Sequence, residues 1–310
     1  MRLWVLGLLA MVSIGACSSS TTNEGTTGGS GGAAGSGGSS GTSTGGAPTG
    51  GSAGSGGAPS GGSSGSGGAP DGGFNCPVGK KGPTLVPVAQ SFCVDATEVT
   101  NGHYSKFLAE IGAADASPTD LTNLTACATL TDYNPKSWAG CPTFSSGKDP
   151  DFPIRCVDWC SAYAYCRWAG KRLCGKIPSG PVSPSGAATQ ENQWYTACAG
   201  PAGADKYSYG DSFEPGRCVD DTLTAVQPVA SHPNCTSFTT GKLAFDLIGN
   251  VSEWEDACDK PQDADANCNH RGGSVFTADV AMTCAPATPL LRSSGGPDIG
   301  FRCCWDASVN

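Results

Sequence analysis

The sequence predicts a loop-rich, disulfide-stapled α+β domain over residues 74–310. Sixteen of the 17 cysteines lie in that segment, and an even number in a chain that begins with an export signal indicates a disulfide framework. Zinc is the weaker alternative, because the chain has three histidines and none pairs with cysteines at zinc-finger spacing. Three segments have helical periodicity, and the loops between them are rich in Pro, Gly, Asn and Asp.

Residues 1–17 are typical of a bacterial lipoprotein signal peptide. Arg2 gives a positive start, the stretch "LWVLGLLAMVSIGA" is apolar but too short to span a bilayer, and small residues precede Cys17. We expect lipidation of Cys17 to anchor the exported protein at the bacterial cell envelope, at the outer membrane or the cell surface. The alternative is a plain secretory signal with a chance cysteine.

Residues 18–73 consist almost entirely of Gly, Ser, Ala, Thr and Pro, with near-repeats such as "GGSAGSGGAPSGG". Such a segment has too little apolar surface for burial to offset the entropy of ordering it. We therefore expect a disordered tether without a catalytic role. The formal net charge of −9 argues against a nucleic-acid partner, because nucleic-acid binding needs a basic surface.

Three helices are predicted in the folded segment. The first lies in "EVTNGHYSKFLAEIG" with Thr100 as its cap, and the second in "VDWCSAYAYCRWAG" between Asp158 and Gly170. A short third helix is predicted in "ENQWYTACAG". The best strand candidates are "AVQPVAS" at 225–231 and "RGGSVF" at 271–276.

Five motifs occur in a fixed order along this segment: "FCVDATEVTNGHYSKFL", "PIRCVDWCSAYAYCRWAGKRL", "FDLIGNVSEW", "RGGS" and "GFRC". Together they resemble the formylglycine-generating enzyme (sulfatase-modifying factor) family, from about Cys76 to Cys304. The resemblance implies a compact variant of the C-type lectin-like fold. It identifies residues 74–310 as one formylglycine-generating enzyme-like domain.

The resemblance also implies two long-range disulfides, Cys166–Cys303 and Cys198–Cys284. Proximity along the chain suggests four more pairs: Cys76–Cys93, Cys127–Cys141, Cys218–Cys235 and Cys258–Cys268. Four cysteines stay unassigned: Cys156, Cys160, Cys174 and Cys304.

A calcium site is implied in "DLIGNVSE", with Asp246, Gly249, Val251 and Glu253 as the ligands. Two carboxylates and backbone carbonyls suit a hard cation that takes six to eight oxygens. The alternative is that both carboxylates cap a turn and face solvent. The family's second calcium site has no convincing counterpart in "RCVDDTL".

The family's copper(I) cysteines, spaced C-x4-C just after RGGS, fall on Thr277 and Met282. A hydroxyl and a thioether do not make a site of two thiolates, so we expect no copper. The segment between Cys268 and Cys284 contains no other cysteine. The tryptophan that lines the family's active groove is also replaced, by Ser252.

These replacements favour a non-catalytic, monomeric binding module for an extracellular peptide, glycan or protein. Its candidate binding residues, expected to be exposed near the former groove, are Ser252, Trp254, Ser274, Thr277, Asp279 and Arg292. An alternative is a formylglycine-generating-type oxidoreductase that acts on protein cysteine through a divergent site. A purely structural surface protein is the third hypothesis.

Overall fold

The computed structural model describes residues 74–114, 124–130, 132–186, 188–239, 242–278 and 281–307. The predicted signal peptide with Cys17 and the predicted tether at 18–73 lie outside the described residues, as does Asp279. Within the described part of the chain, every helix is too short or too polar to cross a bilayer.

All three predicted helices are present: α1 (Asn101–Ala114), α2 (Trp159–Trp168) and α3 (Gln193–Ala199). Each begins after a side chain that accepts a backbone N–H of the first turn. Thr100 Oγ1 accepts from His103 N at 3.2 Å, and Asp158 Oδ1 accepts from Ser161 N at 2.7 Å. Such caps satisfy donors that have no partner inside the helix, which explains why the helices start at these residues. Two short 3₁₀ helices span Thr125–Cys127 and Pro184–Gly186.

Ten short strands form three sheets. They are β1 (Leu85–Val88), β2 (Phe92–Asp95), β3 (Arg172–Leu173), β4 (Thr236–Thr239), β5 (Lys242–Phe245), β6 (Ser252–Cys258), β7 (Asn267–Arg271), β8 (Ala287–Leu291), β9 (Ile299–Gly300) and β10 (Cys303–Asp306). One sheet has the order β1-β2-β10-β3, a second has the order β8-β7-β6-β9, and β4 pairs with β5. The last strand, β10, therefore lies between two strands from the first half of the domain. The structure confirms a loop-rich α+β fold.

Both strand predictions were wrong. Residues 225–231 form a loop. The backbone of Gln227 bonds to the Asn250 side chain instead of to a neighbouring strand: Asn250 Oδ1 accepts from Gln227 N at 2.9 Å, and Asn250 Nδ2 donates to the Gln227 carbonyl at 3.2 Å. In 271–276 only the first residue is in a strand, since Gly272 and Gly273 turn the chain with positive φ.

The core is aromatic and cross-linked. Tyr104 of α1 stacks on Tyr165 of α2 with ring centroids 5.7 Å apart, and Phe301 packs edge-on against Tyr165 at 5.3 Å. Eight disulfides join all the cysteines of the described residues, including both pairs that the family resemblance implies.

One predicted pair, Cys127–Cys141, was wrong. Helix α2 begins at residue 159, so it places Cys160 beside the 3₁₀ helix that carries Cys127, and these two cysteines are bonded. Cys141 pairs instead with Cys156. The two remaining unassigned cysteines form Cys174–Cys304, whereas the pairs at 76–93, 218–235 and 258–268 are as predicted.

Candidate functional site

The residues that follow β7 form a tight turn. Gly272 and Gly273 adopt φ of +92° and +71°, which reverses the chain at the end of the strand. Ser274 N donates to Thr277 Oγ1 at 3.0 Å, and Thr277 N donates to the Ser274 carbonyl at 2.9 Å. Ser274 Oγ also donates to Asp298 Oδ2 at 2.6 Å. The Thr277 hydroxyl is therefore a structural part of this turn.

Thr277 and Met282 lie against the same point of the turn. A Cβ placed on Gly273 would be 3.1 Å from Thr277 Cγ2 and 2.9 Å from Met282 Cγ. Met282 is 1% exposed, and its Sδ would lie 3.5 Å from a Cβ on Gly249. The structure thus brings Thr277 and Met282 together, the first as a hydrogen-bonded hydroxyl and the second as a packed thioether. That these are the positions of the family's copper cysteines stays a prediction.

This pair does not fit a copper(I) site built from two thiolates. A thioether is a soft ligand, but Met282 supplies only one and it is buried. The 16 cysteines from Cys76 to Cys304 are all in disulfides, so the described residues contain no free thiol that could replace the missing pair.

The expected exposure of the candidate binding residues was wrong for four of them. Ser252, Trp254, Ser274 and Arg292 are at most 5% exposed. Trp254 Nε1 donates to a backbone carbonyl at 3.1 Å, and the Arg292 guanidinium lies 4.6 Å from the centroid of a tryptophan ring. These side chains hold the interior together. The exposed aromatic side chain at this turn is Phe276, at 57%, which the sequence interpretation did not select.

The predicted calcium ligands Asp246 and Glu253 lie in a buried cluster with Glu98 and Arg302. Both Glu253 oxygens accept from Arg302, which donates through Nε and Nη2 at 2.7 Å each. Glu253 Oε2 also accepts from Trp194 Nε1 at 2.7 Å. The Glu253 carboxylate is therefore already neutralised by a two-pronged guanidinium contact.

Glu98 and Asp246 are neighbouring buried carboxyl groups. Asn250 Nδ2 donates to Glu98 Oε1 at 3.0 Å, and Ala230 N donates to Asp246 Oδ2 at 2.6 Å. The remaining oxygens, Glu98 Oε2 and Asp246 Oδ1, are buried and have no hydrogen-bond partner among the described residues. Burial and the adjacent Asp246 charge hold the pKa of Glu98 well above its usual range. Burial raises the pKa of Asp246 to about 6, so both carboxyl groups of the pair favour the protonated form more than free carboxyl groups do.

The calcium site at Asp246, Gly249, Val251 and Glu253 stays a prediction. The Glu253 carboxylate is engaged by Arg302, whereas Asp246 Oδ1 is buried without a hydrogen-bond partner. The predicted ligands of Gly249 and Val251 are their backbone carbonyl oxygens. Within the described ranges, no three His, Cys, Asp or Glu side chains are arranged to hold a metal ion. The role of Glu98 was missed, although the "EVT" motif contains it.

A cleft of about 160 Å³ opens between the loop at 142–155 and the loop at 225–226. Its apolar wall includes Phe152 and Val226, which belong to the same cluster as Val275 of the turn. Its cationic side chains are Lys148 and Arg155. The cleft therefore shares an apolar cluster with the turn after β7.

Comparison with known proteins identifies the family. The profile of the sulfatase-modifying factor enzyme 1-like domain matches residues 60–307. The Bos taurus protein named inactive C-alpha-formylglycine-generating enzyme 2 is 28% identical over 170 residues, covering 49% of this chain and 50% of that protein. A formylglycine-generating enzyme of Streptomyces coelicolor is 29% identical over 194 residues, covering 52% and 54%.

The chain thus spans about half the length of these curated relatives. Among solved structures, PvdO from Pseudomonas aeruginosa is 22% identical with a TM-score of 0.44, over 72% of this chain and 83% of that one. Because the family profile covers well over half of the sequence, this chain belongs to the sulfatase-modifying factor enzyme 1-like domain family.

Proposed function

We propose that the domain is a non-catalytic binding module, tethered to the cell envelope, that recognises an extended segment of a peptide or protein. One observation carries the proposal: the positions of the two copper cysteines hold Thr277 and Met282, one bonded into a turn and the other buried. Oxidation of a substrate cysteine by the family's route needs a pair of thiolates that bind copper(I). The relative named an inactive formylglycine-generating enzyme is consistent with this proposal.

The exposed side chain of Phe276 supports a binding role. It is 57% exposed at the tip of the turn, next to the packed cluster that continues into the cleft. Exposed aromatic residues beside a pocket are common anchors of protein and peptide interfaces, because they bury a large apolar area with few rotatable bonds.

The loss of oxidase chemistry can be tested by copper(I) competition. The oxidised protein is titrated against a chromophoric copper(I) chelator, and oxygen uptake is followed with a cysteine-containing peptide. We expect neither stoichiometric copper binding nor oxygen uptake. The double variant Thr277→Cys/Met282→Cys is the positive control, since the two positions adjoin and would supply a dithiol. Copper binding with oxygen uptake by the unaltered protein would support the oxidoreductase alternative instead.

The binding role can be tested on peptide, glycan and extracellular-protein arrays. Phe276→Asp should remove specific peptide or protein signals, whereas Leu291→Asp, at another exposed apolar residue, should keep them. Signals confined to glycans, or signals that survive Phe276→Asp, would contradict recognition of a peptide at this turn.

The envelope anchor can be tested by fractionation. The sequence before Cys17 supports it, and Cys17→Ser should move the exported protein from the membrane to the soluble fraction. Unchanged membrane association of that variant would overturn the anchor.

A further inference from the structure

The cleft beside the turn combines apolar walls with an excess of positive charge. Phe144 and Phe152 contribute aromatic surface, and Lys148 and Arg155 contribute two cationic groups. The acidic side chain among its lining residues is Asp149, which belongs to an exposed stretch of the loop. The half-buried Arg155 is screened by water less than the exposed Lys148 and Asp149 are, so its charge dominates the inner part of the lining.

Arg155 is the more sheltered of the two cations. Its Nη1 donates to the Pro297 carbonyl at 2.8 Å, a neutral acceptor that fixes the guanidinium without compensating its charge. Burial lowers the pKa of Arg155, and the carboxylate that acts against this effect is Asp298. Asp298 accepts from the Ser274 hydroxyl at 2.6 Å and is not among the residues that line the cleft, although its charge still acts on Arg155. A guanidinium has five N–H donors in a planar fork, which leaves donors of Arg155 for a ligand in the cleft.

The position of Arg155 is fixed by the fold. It lies between Ile154, whose N–H donates to the Val99 carbonyl at 2.8 Å, and Cys156, which is bridged to Cys141. The cleft is thus held by a disulfide on one side and by backbone bonds to the start of α1 on the other. A site held in this way is preorganised and loses little entropy when a ligand binds.

We propose that this cleft binds a carboxylate group of the partner, with Arg155 as the main contact and Lys148 at the entrance. This inference rests on the proposed binding function and specifies the ligand chemistry. A volume of about 160 Å³ has room for one acidic side chain or one chain end, and is well below that of pockets for larger ligands. The hydrocarbon part of such a group packs against Phe144 and Phe152.

Two sources of the carboxylate can be separated with three small probes. Acetyl-glutamate amide carries a side-chain carboxylate, acetyl-glutamine carries a terminal carboxylate, and acetyl-glutamine amide carries neither. Each is titrated into the isotope-labelled protein, and amide NMR shifts near Arg155 are followed. We expect saturable shifts with one or both acids and none with the neutral amide. Equal shifts with all three probes, or none with any, would overturn the proposal.

Charge-matched variants assign the contact. Arg155→Gln should weaken binding of the acidic probe by about tenfold, as expected for loss of a charge-assisted hydrogen bond. Arg167→Gln removes the same charge from an exposed position on α2, outside the cleft, and should change the affinity little. Equal weakening by both variants would mean that only net charge matters, which contradicts a site. Far-ultraviolet circular dichroism confirms that both variants are folded.

The failure of this inference can be distinguished from failure of the proposed function. Phe276→Asp should abolish capture of a peptide or protein partner yet leave binding of the small acidic probe intact. If arrays yield peptide ligands without any acidic residue or free carboxyl terminus, the binding function stands and the carboxylate inference falls.

Discussion

Glu98 gives the sharpest test of the buried electrostatics. In the folded protein, burial and the adjacent Asp246 hold the pKa of Glu98 well above its ordinary value of 4.5. Folding therefore favours protonation of this side chain, and the folded state should lose stability as the pH rises above that value. Glu98→Gln should mimic the protonated form, because the amide can accept from Asn250 and donate to Asp246.

The size of the effect follows from proton linkage. Protonating a carboxyl of pKa 4.5 at pH 7 costs about 3 kcal/mol, at about 1.4 kcal/mol for each pH unit. Glu98→Gln removes this cost and should raise the free energy of unfolding by up to about 3 kcal/mol at pH 7. For a domain of this size the melting temperature should rise by roughly 6–12 °C. Near pH 4.5 the gain should fall to about 0.4 kcal/mol, because the side chain is then half protonated in the unfolded state.

Differential scanning calorimetry between pH 4.5 and 7.5, with disulfides intact, measures this directly. Glu110→Gln on the exposed face of α1 is the matched control and should show no such pH-dependent gain. Destabilisation by Glu98→Gln at pH 7 would refute a protonated Glu98. If that loss appeared only in calcium and not in chelator, a cation would occupy the place of the proton.

Three further outcomes are expected. Burial raises the pKa of Asp95, Asp246 and Asp256 from 3.8 to about 6. The folded state therefore binds more protons than the unfolded state between pH 4 and pH 6, and the melting temperature should fall as the pH rises over that range. A rise of the melting temperature over the same range would contradict these pKa shifts. Met282→Ala should cost about 2–5 kcal/mol in urea unfolding if the side chain packs as described, whereas a loss below about 1 kcal/mol would mean that it does not. Replacing both cysteines of Cys166–Cys303 by serine should lower the free energy of unfolding by only about 3 kcal/mol. The reason is that the nearby Cys174–Cys304 bridge still restrains the unfolded chain, so the removed bridge closes a loop of only roughly ten residues. If the chain-entropy account holds, removing both bridges should lower the free energy of unfolding by clearly more than twice the loss from removing Cys166–Cys303 alone.

The sequence predicted the parts of the fold that local chemistry determines. Thr100 and Asp158 start helices because their side chains bond to first-turn N–H groups, and this preference is readable from residue type and spacing. The disulfide Cys127–Cys160 could not be predicted by proximity along the chain, because its formation depends on how α2 packs against a distant 3₁₀ helix.

At the candidate site, too, the sequence predicted what depends on local pattern and missed what depends on tertiary packing. A motif resemblance assigned Thr277 and Met282 to one place, and the structure brings them against the same glycine. The direction of a side chain, however, depends on tertiary packing, and so Ser252, Trp254 and Arg292 were expected outside and lie inside. Phe276 lies just beyond the "RGGS" motif and Arg155 lies within "PIRCVDWCSAYAYCRWAGKRL", but neither motif gives these residues a role, and only the structure relates them to the turn and the cleft.

The turn after β7 is held by packing and hydrogen bonds of its own residues. Gly273 leaves no room for a Cβ because Thr277 and Met282 fill the space around it, and the Thr277 hydroxyl accepts the Ser274 N–H within the turn. Met282 adds a flexible apolar side chain that fills an irregular gap next to Gly249. Under the proposed function, these two side chains favour stability at a place where paired thiolates would favour metal binding and reactivity. In such a binding module, the exposed tip of the turn and the adjoining cleft could change their ligand without a change of fold.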